Sequence, residues 1–461
     1  MSHQLETFFY PKHVVLLGAS KTQGKIGHAI LKNIVENFKG KISPVNPKYD
    51  SIMGLTCYSS VSKVPGDVDL AVIALPSKIV PKIVEECGEA GIKNIVLISG
   101  GFKELGGKFK DLSKKTARIA QKYDIRMIGP NCIGVMNPTN GFLTFFQPRE
   151  KFVKPEKGNV AILSQSGTNG LSLLEWFAED YVGISKFVSY GNKLDVNEAD
   201  LLRYLRNDRE TEVIGIYLEA LQEGRRFYEE ARKTTQEKPL VVLRGGGSEI
   251  AAEAALSHTG FLGGKKRVYK AAFKQSGILE AENMESLFDI VKTLSKQPFP
   301  AGSKIAFVSN GAGPMVQAVD CIETTSMTLA EFSGRVKRYF EREFPPYYVI
   351  KNPLDLTGSA TVRDYEISLN GLTSDENVDI IALFFVFQDA PLDSEQAVKI
   401  LKKTNPQTKK PILVCAAGGS HTKRVKKEIE GIGIPTFPTA ERLIKGAEAL
   451  SSFAQGNDEV L

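Results

Sequence analysis

One histidine of this chain stands in a setting that suits covalent chemistry. His258 follows an alanine-rich run that should be helical up to about Leu256, and small or polar residues, Ser257, Thr259 and Gly260, surround it. The chain has five histidines, and only this one has a loop of small residues built around it. A lone histidine is more often a surface or packing residue, but an imidazole on an exposed turn can also meet a substrate or a second protein. We interpret His258 as a covalent phosphoryl carrier.

Two other features supply groups that such a carrier needs. Glu219 follows the predicted buried strand Val213–Leu218, where its carboxylate could orient one imidazole nitrogen and leave the other free to attack phosphorus. A helix cap or a surface ion pair would place the same residue there. The second feature is a turn between a predicted strand and a helix, with the residues Ser166, Gly167, Thr168 and Asn169. Its hydroxyls and free helix N-terminal amides make it a candidate phosphate cradle, although ordinary helix capping looks much the same.

The first glycine-bearing turn, GASKTQGKIG, resembles a dinucleotide-binding turn but departs from it twice. Ser20 replaces the second glycine of the G-x-G-x-x-G pattern, and the second strand ends in Asn46-Pro47-Lys48 with no acid to hold a ribose hydroxyl. NAD is therefore disfavoured, and a phosphate-bearing nucleotide such as coenzyme A is preferred; a purely structural turn stays open. The predicted contacts in this region are Gly18, Ser20, Gly24, Lys25, Asn46, Pro47 and Lys48.

Three strand–turn–helix units recur along the chain. HVVLLGAS, NVAILSQSG and KIAFVSNGAG begin 146 and 145 residues apart, and the seams at 147–158 and 297–302 are rich in proline or charge. Strands alternating with helices predict an α/β fold of three consecutive Rossmann-like or flavodoxin-like parallel-sheet domains, residues 1–147, 148–297 and 298–461. In such sheets ligands bind beyond the C-terminal ends of the strands. In the first domain that edge adds Leu75, Pro76, Gly100, Gly101, Phe102, Asn131 and Cys132 to the predicted coenzyme A contacts.

Composition excludes several classes of protein. The formal charge of +6 is mild, and its lysines and arginines are scattered rather than gathered in the basic stripe that nucleic acid requires. The apolar stretch 380–387 is far too short to span a bilayer, and no secretory signal is apparent at the N-terminus. Five widely spaced cysteines without a CxxC pair argue against a disulfide framework and a zinc site. We expect a cytoplasmic protein with no metal site of its own.

Seven motifs in order carry a family resemblance: GAS-x-x-x-GKIG, PVNPKY, SQSG-x-x-G, SYGNK-x-D, ALSHTG, SNGAGPMV and NPLDLTG. The chain resembles the alpha subunits of ADP-forming acetate–CoA ligases (ADP-forming acetyl-CoA synthetases), in the acyl-CoA synthetase superfamily that includes succinyl-CoA synthetase. The resemblance covers nearly the whole chain. It implies the reaction acyl-CoA + ADP + phosphate ⇌ acid + CoA + ATP, through an acyl phosphate and phosphorylated His258.

The resemblance also assigns roles to the three domains and their residues. It implies a CoA-binding first domain, a second domain with the phosphohistidine loop, and a second ligase-like or flavodoxin-like third domain. Glu219 would hold the His258 ring, and Gly260 would join the acyl-phosphate site. The family's ATP-grasp nucleotide domain has no counterpart in the sequence. A separate ATP-grasp beta subunit that binds ADP or ATP with Mg²⁺ is therefore expected, in an α2β2 or similar complex.

Three alternatives remain at this point. A succinyl-CoA-synthetase-like subunit with extra C-terminal material would share most of the motifs. A non-catalytic CoA-sensing module would share the first turn, but it has no need of a His258–Glu219 pair. An NAD-dependent dehydrogenase fails at Ser20 and at the missing acid after the second strand.

Overall fold

A computed structural model describes residues 2–102, 108–246 and 266–458. The alanine-rich run ending near Leu256, His258 and Gly260 lie outside the described residues. The chain divides into two compact units, Met1–Ala178 with Gly183–Glu282, and Glu179–Val182 with Asn283–Leu461. Three main sheets are parallel or mostly parallel, so the predicted α/β class is confirmed. The division into three domains stays a prediction.

The first sheet is built from short apolar strands that are buried along most of their length. Its strands are β1 (His13–Leu17), β2 (Lys41–Val45), β5 (Leu70–Ile73), β6 (Asn94–Leu97) and β7 (Arg126–Ile128). They run parallel in the order β2-β1-β5-β6-β7, and a small hairpin of β3 (Ser51–Ile52) and β4 (Leu55–Thr56) stands beside them. The helices of this part are α1 (Ser2–Glu6), α2 (Ile26–Asn37), α3 (Val80–Glu89) and α4 (Lys108–Lys122), with short 3-10 turns at Val61–Lys63 and Ser77–Ile79. Such near-continuous apolar runs are typical of parallel strands covered on both faces.

The second sheet belongs to the same unit and contains an antiparallel hairpin at one edge. Its strands are β8 (Gly134–Asn137), β9 (Phe142–Leu143), β10 (Lys157–Ser164), β11 (Ile184–Ser189), β12 (Val213–Leu218), β13 (Leu240–Arg244) and β14 (Leu279–Ala281). Their order is β14-β13-β12-β10-β11-β8-β9, parallel except where β8 pairs with β11 and with β9. The helices are α5 (Gly167–Glu179), α6 (Glu198–Asn207), α7 (Gly224–Thr235) and α8 (Lys266–Gln275). The hairpin of β8 and β9 precedes residue 147, where the sequence predicted the first domain to end. Its pairing with β11 of the second sheet was therefore not expected from the sequence.

One continuous core joins these two sheets. Buried side chains of β1, such as Leu16, pack in the same cluster as Val135 of β8 and Leu163 of β10. The turns at the ends of the two sheets are consequently held in fixed relation to one another. A second cluster, which includes Val15 and Ile95, fills the opposite face of the first sheet.

The second unit carries the third sheet. Its strands are β15 (Lys304–Ser309), β16 (Thr328–Leu329), β17 (Leu354–Asp355), β18 (Ile380–Phe384), β19 (Ile412–Cys415) and β20 (Thr436–Phe437). They pair in parallel as β16-β15-β18-β19-β20, and β17 also pairs with β15. The helices are α9 (Met284–Lys296), α10 (Ala312–Ile322), α11 (Gly334–Glu343), α12 (Val362–Thr373), α13 (Ser394–Thr404), α14 (Ser420–Gly431) and α15 (Ala440–Asp458), with a 3-10 turn at Asn405–Gln407. In the described part of the chain, no helix is both long and apolar enough to cross a membrane.

A buried ionic network ties the N-terminal segment to the second sheet. The Lys186 side chain on β11 is fully buried, and its Nζ lies 2.6 Å from Glu210 Oε2. Tyr10 Oη donates to the same carboxylate at 2.7 Å, and Thr139 Oγ1, in the hairpin, donates to it at 2.9 Å. Burial opposes ionisation of Glu210, but the hydrogen bonds from Lys186, Tyr10 and Thr139 outweigh it and lower its pKa to about 2. Glu210 therefore stays ionised and joins three separate segments of the chain.

This network predicts a pH-dependent contribution to stability. Because the folded pKa of Glu210 lies below its ordinary value of 4.5, its stabilisation is fully present above pH 4.5 and is lost as the pH falls toward 2. We expect Glu210→Gln to lower the free energy of unfolding by about 2–3 kcal/mol at pH 7, and by less than half of that at pH 3. Urea denaturation at several pH values measures this difference. Glu229→Gln, in an exposed pair with Arg225, is the control and should differ little from the wild type at any pH. A Glu210→Gln deficit that does not change between pH 7 and pH 3 would contradict the assignment.

Candidate functional site

A cavity of about 810 Å³ lies in the first unit, where the C-terminal ends of strands from two sheets meet. Turns after β5, β6 and β7 supply one side, and turns after β10, β11 and β12 supply the other. The residues lining it are Ile26, Ala74, Leu75, Pro76, Ile98, Ser99, Gly100, Asn131, Cys132, Ile133, Phe146, Gln147, Gln165, Ser166, Gly167, Thr168, Leu171, Gly191, Asn192 and Glu219. The strand ends of a parallel sheet are the usual place for a ligand, and here two such edges share one cavity.

The predicted phosphate cradle forms the N-terminal end of α5. Ser166, Gly167 and Thr168 line the cavity, and Ser166 Oγ accepts a hydrogen bond from Asn169 N at 3.4 Å. A Cβ atom at Gly167 would lie 2.8 Å from the side chain of Ile133, so any larger residue here would have to displace that side chain. The first amides of a helix have no partner within the helix and carry its positive dipole end, which favours a bound anion.

Glu219 immediately follows β12 and lines the same cavity as the start of that helix. Its backbone N–H and that of Ala220 donate to Gln165 Oε1 at 2.9 and 3.2 Å. Burial and the Glu219 carboxylate raise the pKa of Tyr217, while a hydrogen bond with Asn169 acts in the opposite direction. The structure thus brings the predicted acid and the predicted cradle together through Gln165 and Tyr217.

The turn after β11 contacts the backbone next to Glu219. Buried Lys193 contacts the Glu198 carboxylate and the Ala220 carbonyl oxygen, one residue beyond Glu219. Burial and the nearby Glu198 and Glu219 carboxylates raise the pKa of Tyr190 well above its ordinary value. Tyr190 is therefore a neutral phenol at physiological pH.

The turn after β7 closes the cavity from the first sheet. Gly191 has φ +52°, and a Cβ atom there would lie 2.2 Å from Asn131 O, so the two turns are in direct contact. Asn192 N donates to Pro130 O at 2.9 Å. Burial raises the pKa of the Cys132 thiol to about 12, so this cysteine lines the cavity as a neutral thiol.

Other predicted coenzyme A contacts lie around β1 and β2 and do not line the cavity. Gly18 N donates to Val45 O at 3.2 Å, and Asn46 Nδ2 donates to Ala19 O at 2.7 Å, which joins the two strand ends. Lys48 N donates to Asn46 Oδ1 at 3.0 Å. Lys25 is the residue immediately before α2.

The predicted residues thus fall into three groups. Those that line the cavity are Glu219, Ser166, Gly167, Thr168, Leu75, Pro76, Gly100, Asn131 and Cys132. Those that lie elsewhere among the described residues are Asn169, Gly18, Ser20, Gly24, Lys25, Asn46, Pro47, Lys48, Gly101 and Phe102. His258 and Gly260 are outside the described residues. The roles of all of them stay predictions.

Several cavity residues were not singled out from the sequence. Gln165 and Asn192 belong to the recognised turns SQSG and SYGNK, so their position next to cradle residues was the available signal. Gln147 begins the seam 147–158, whose proline and charge indicated a linker, and Phe146 immediately precedes it. Nothing in the local pattern pointed to a role for these two.

In the third strand–turn–helix unit, the turn residue Asn310 is fully hydrogen-bonded to neighbouring residues of the same unit. Asn310 Oδ1 accepts from Tyr365 Oη and Val386 N, at 2.8 and 2.9 Å. Asn310 Nδ2 donates to Asp389 Oδ2 at 2.8 Å and to Val386 O at 3.1 Å. This asparagine has all its hydrogen-bonding capacity engaged and serves the local structure.

Two known domain families match the parts of the chain that contain the first and the second sheet. Residues 12–138 match the model of a CoA binding domain, and residues 157–294 match that of a succinyl-CoA ligase like flavodoxin domain. A solved structure of a dinucleotide-forming acetyl-coenzyme A synthetase 1 from Ca. Korarchaeum cryptofilum, in complex with phosphate and ADP, has a TM-score of 0.93 at 35% identity. That match covers 99% of this chain and 98% of the other.

Two curated relatives extend the match to the whole chain. The acetate–CoA ligase [ADP-forming] I subunit alpha of Pyrococcus furiosus is 39% identical over 98% of this chain and 98% of its own. The acetate–CoA ligase [ADP-forming] I of Archaeoglobus fulgidus is also 39% identical over 98% of this chain, which spans only 64% of that longer protein. These matches confirm the resemblance that the seven motifs indicated. The chain belongs to the family of ADP-forming acetate–CoA ligases and aligns with its alpha subunits.

Proposed function

We propose that this chain is the alpha subunit of a nucleotide-forming acyl-CoA synthetase. With its partner it converts an acyl-CoA, ADP and phosphate into the free acid, coenzyme A and ATP, and it catalyses the reverse reaction. Acetyl-CoA is the acyl-CoA that we favour, because two relatives that are 39% identical over 98% of the chain are acetate–CoA ligases. The observation that carries the proposal is the single cavity where the first-sheet turns meet the α5 N-terminus and Glu219.

The cavity suggests how the substrates are arranged. Coenzyme A would follow the turns of the first sheet, with its thioester in the cavity near Asn131 and Gly100. Phosphate would bind at Ser166–Thr168, where the N-terminal amides of α5 favour an anion by about 0.3–1 kcal/mol at an exposed site and by more when buried. Attack of phosphate on the thioester carbonyl would then give the acyl phosphate and release coenzyme A.

Histidine chemistry follows in the proposed sequence. His258 would attack the phosphorus of the acyl phosphate, displace the free acid and carry the phosphoryl group. Glu219 would accept a hydrogen bond from the other ring nitrogen and stabilise the positive charge that develops on the imidazole. The presence of Glu219 in the lining of the same cavity as the α5 N-terminus supports this role.

A separate beta subunit with an ATP-grasp nucleotide site would complete the reaction. It would bind ADP with Mg²⁺ and receive the phosphoryl group from His258, in an α2β2 or similar complex. The alpha-subunit relative from Pyrococcus furiosus, matched over nearly its full length, supports a division into subunits. We place the complex in the cytoplasm and divide the alpha subunit into a CoA-binding domain at 1–147, a ligase domain at 148–297 and a second ligase-like domain at 298–461.

The carrier role of His258 predicts a specific covalent label. The chain incubated with acetyl-CoA and radiolabelled phosphate should acquire an acid-labile, base-stable label, because phosphohistidine has that stability. His258→Ala should abolish the label. His421→Ala is the matched control, since His421 also lies between a serine and a threonine but its Nε2 bonds Ser394 Oγ at 3.0 Å in the second unit. A label that survives in His258→Ala would disprove the assignment.

The orienting role of Glu219 predicts a kinetic defect without a binding defect. Glu219→Gln should slow phosphorylation of the enzyme by acetyl phosphate on the order of 100-fold, because an amide cannot stabilise the charged ring as a carboxylate does. Coenzyme A affinity, measured by calorimetry, should stay within about threefold. Glu229→Gln on the exposed face of α7 should change neither quantity. Unchanged phosphorylation kinetics in Glu219→Gln would remove this residue from the mechanism.

The division of labour between subunits predicts where the reaction stops. The purified chain should form the phosphoenzyme but no ATP when it is given acetyl-CoA, phosphate, ADP and Mg²⁺. Addition of the beta subunit should start ATP synthesis, which a luciferase assay follows. ATP made by the chain alone would overturn the two-subunit proposal.

A further inference from the structure

The side-chain amide of Gln165 has a fixed orientation at the cavity. Gln165 is only 4% exposed, and its Oε1 accepts hydrogen bonds from Glu219 N at 2.9 Å and Ala220 N at 3.2 Å. Both partners are N–H donors, so the oxygen must face them and the nitrogen must take the other side. The backbone N–H of the same residue donates to Tyr217 O at 3.0 Å. The position of Nε2 is thus fixed by hydrogen bonds to the backbone of Tyr217 in β12 and of Glu219 and Ala220 just after it.

That nitrogen is a buried donor for which the described part of the chain offers no acceptor. Among the described residues, no acceptor forms a hydrogen bond with Gln165 Nε2. A buried donor left unpaired costs about 1–3 kcal/mol, which a fold seldom retains without a reason. Gln165 lines the cavity immediately before the cradle residues Ser166 and Gly167. The missing acceptor is therefore expected to come from a ligand.

Resting on the proposed function, we propose that Gln165 Nε2 donates to the thioester carbonyl oxygen and stabilises the oxyanion of the acyl-transfer step. In that step a phosphate oxygen forms a bond to the carbonyl carbon, and the π electrons of C=O move onto the carbonyl oxygen. The oxyanion then re-forms C=O as the C–S bond breaks. The electron pair of that bond leaves on the coenzyme A sulfur, which takes up the proton released from hydrogen phosphate. The products are an acyl phosphate and coenzyme A.

The geometry favours the acyl oxygen over the phosphate as the acceptor. Phosphate already has the α5 N-terminal amides beside Gly167 and Thr168, and these favour an anion in the ground state. The carbonyl oxygen becomes an anion only in the transition state, where a rigid neutral donor is most effective because it needs no reorganisation. Gln165, anchored through Oε1, is such a donor. Its place between the cradle and Glu219 lets one side chain serve acyl transfer while its oxygen holds the strand end that presents the acid.

Two half-reactions separate this role from a structural one. In the complex with the beta subunit but without nucleotide, acyl transfer is followed as coenzyme A release from acetyl-CoA and phosphate. Phosphoryl transfer is followed as labelling of His258 by radiolabelled acetyl phosphate, which requires no attack on a thioester. Gln165→Met has nearly the same length but neither donates nor accepts. It should slow acyl transfer about 100-fold or more and change phosphoryl transfer by less than about threefold.

A second variant keeps the anchor in place. Gln165→Glu retains an oxygen to accept from the backbone of Glu219 and Ala220 but replaces the donor with another oxygen. Gln165→Glu should also slow acyl transfer by a larger factor than phosphoryl transfer. This variant keeps the proposal testable if Gln165→Met does not fold. Gln121→Met on the exposed face of α4 is the control and should leave both half-reactions unchanged.

Each other outcome overturns the proposal. An equal loss in both half-reactions would mean that Gln165 only positions Glu219. A raised KM for phosphate at unchanged kcat would make it a phosphate ligand. Acyl transfer that stays within about threefold in both variants would show that the donor is not used. Failure of the proposed function itself would look different, because the wild-type complex would then be labelled by neither substrate.

Discussion

The antiparallel pairing of β8 with β11 determines the geometry of the whole site. After leaving the first sheet at Ile128, the chain passes through one short turn and enters the second sheet, where Val135 lies opposite Val188 and Gly134 opposite Ser189. Ile133 N donates to Ser189 Oγ at 3.2 Å at the end of this register. The turn that carries Asn131 and Cys132 therefore connects the two sheets: β7 of the first sheet precedes it, and β8 of the second sheet follows it. Two parallel sheets that could otherwise move independently are forced to present their C-terminal edges to one cavity.

The same geometry explains how the cavity can contain groups of opposite character. The first-sheet turns contribute several small residues, such as Ala74, Ser99 and Gly100, while the second sheet contributes a helix N-terminus and an acid. An acid at the tip of a buried strand is costly unless its surroundings compensate. Here the Glu219 backbone is held by the Gln165 amide, and buried Lys193 bonds the Ala220 carbonyl next to it. Buried Lys193 and the Gln165 amide therefore hold the strand end whose Glu219 side chain lines the cavity.

Much of this fold could be predicted from the sequence, because its information is local. Apolar runs such as His13–Leu17 and Val213–Leu218, each followed by a turn of small residues, predicted the strands and the edge at which ligands bind. The position of Glu219 at the end of its strand followed from the same pattern. The family followed from seven motifs, and the comparisons confirm it.

What the sequence did not reveal depends on contacts between distant residues. From the sequence, the hairpin Gly134–Leu143 falls within the first predicted domain, whereas the structure pairs it with β11 of the second sheet. Gln147 looks like the start of a linker but lines the cavity, as does Phe146 immediately before it. The orientation of the Gln165 amide depends on two backbone N–H groups more than fifty residues away in the chain, which no local pattern encodes.

The shared hairpin also affects how the chain could be divided. A fragment that ends at residue 147 would keep β8 and β9 but lose the strand that covers them. Val135, Met136, Phe142 and Leu143 are all at most 5% exposed in the intact unit, so the fragment would display a two-stranded apolar ribbon with an unpaired edge. Such edges recruit other chains and aggregate. A break in the chain between the first two sheets would therefore expose apolar surface and lower solubility.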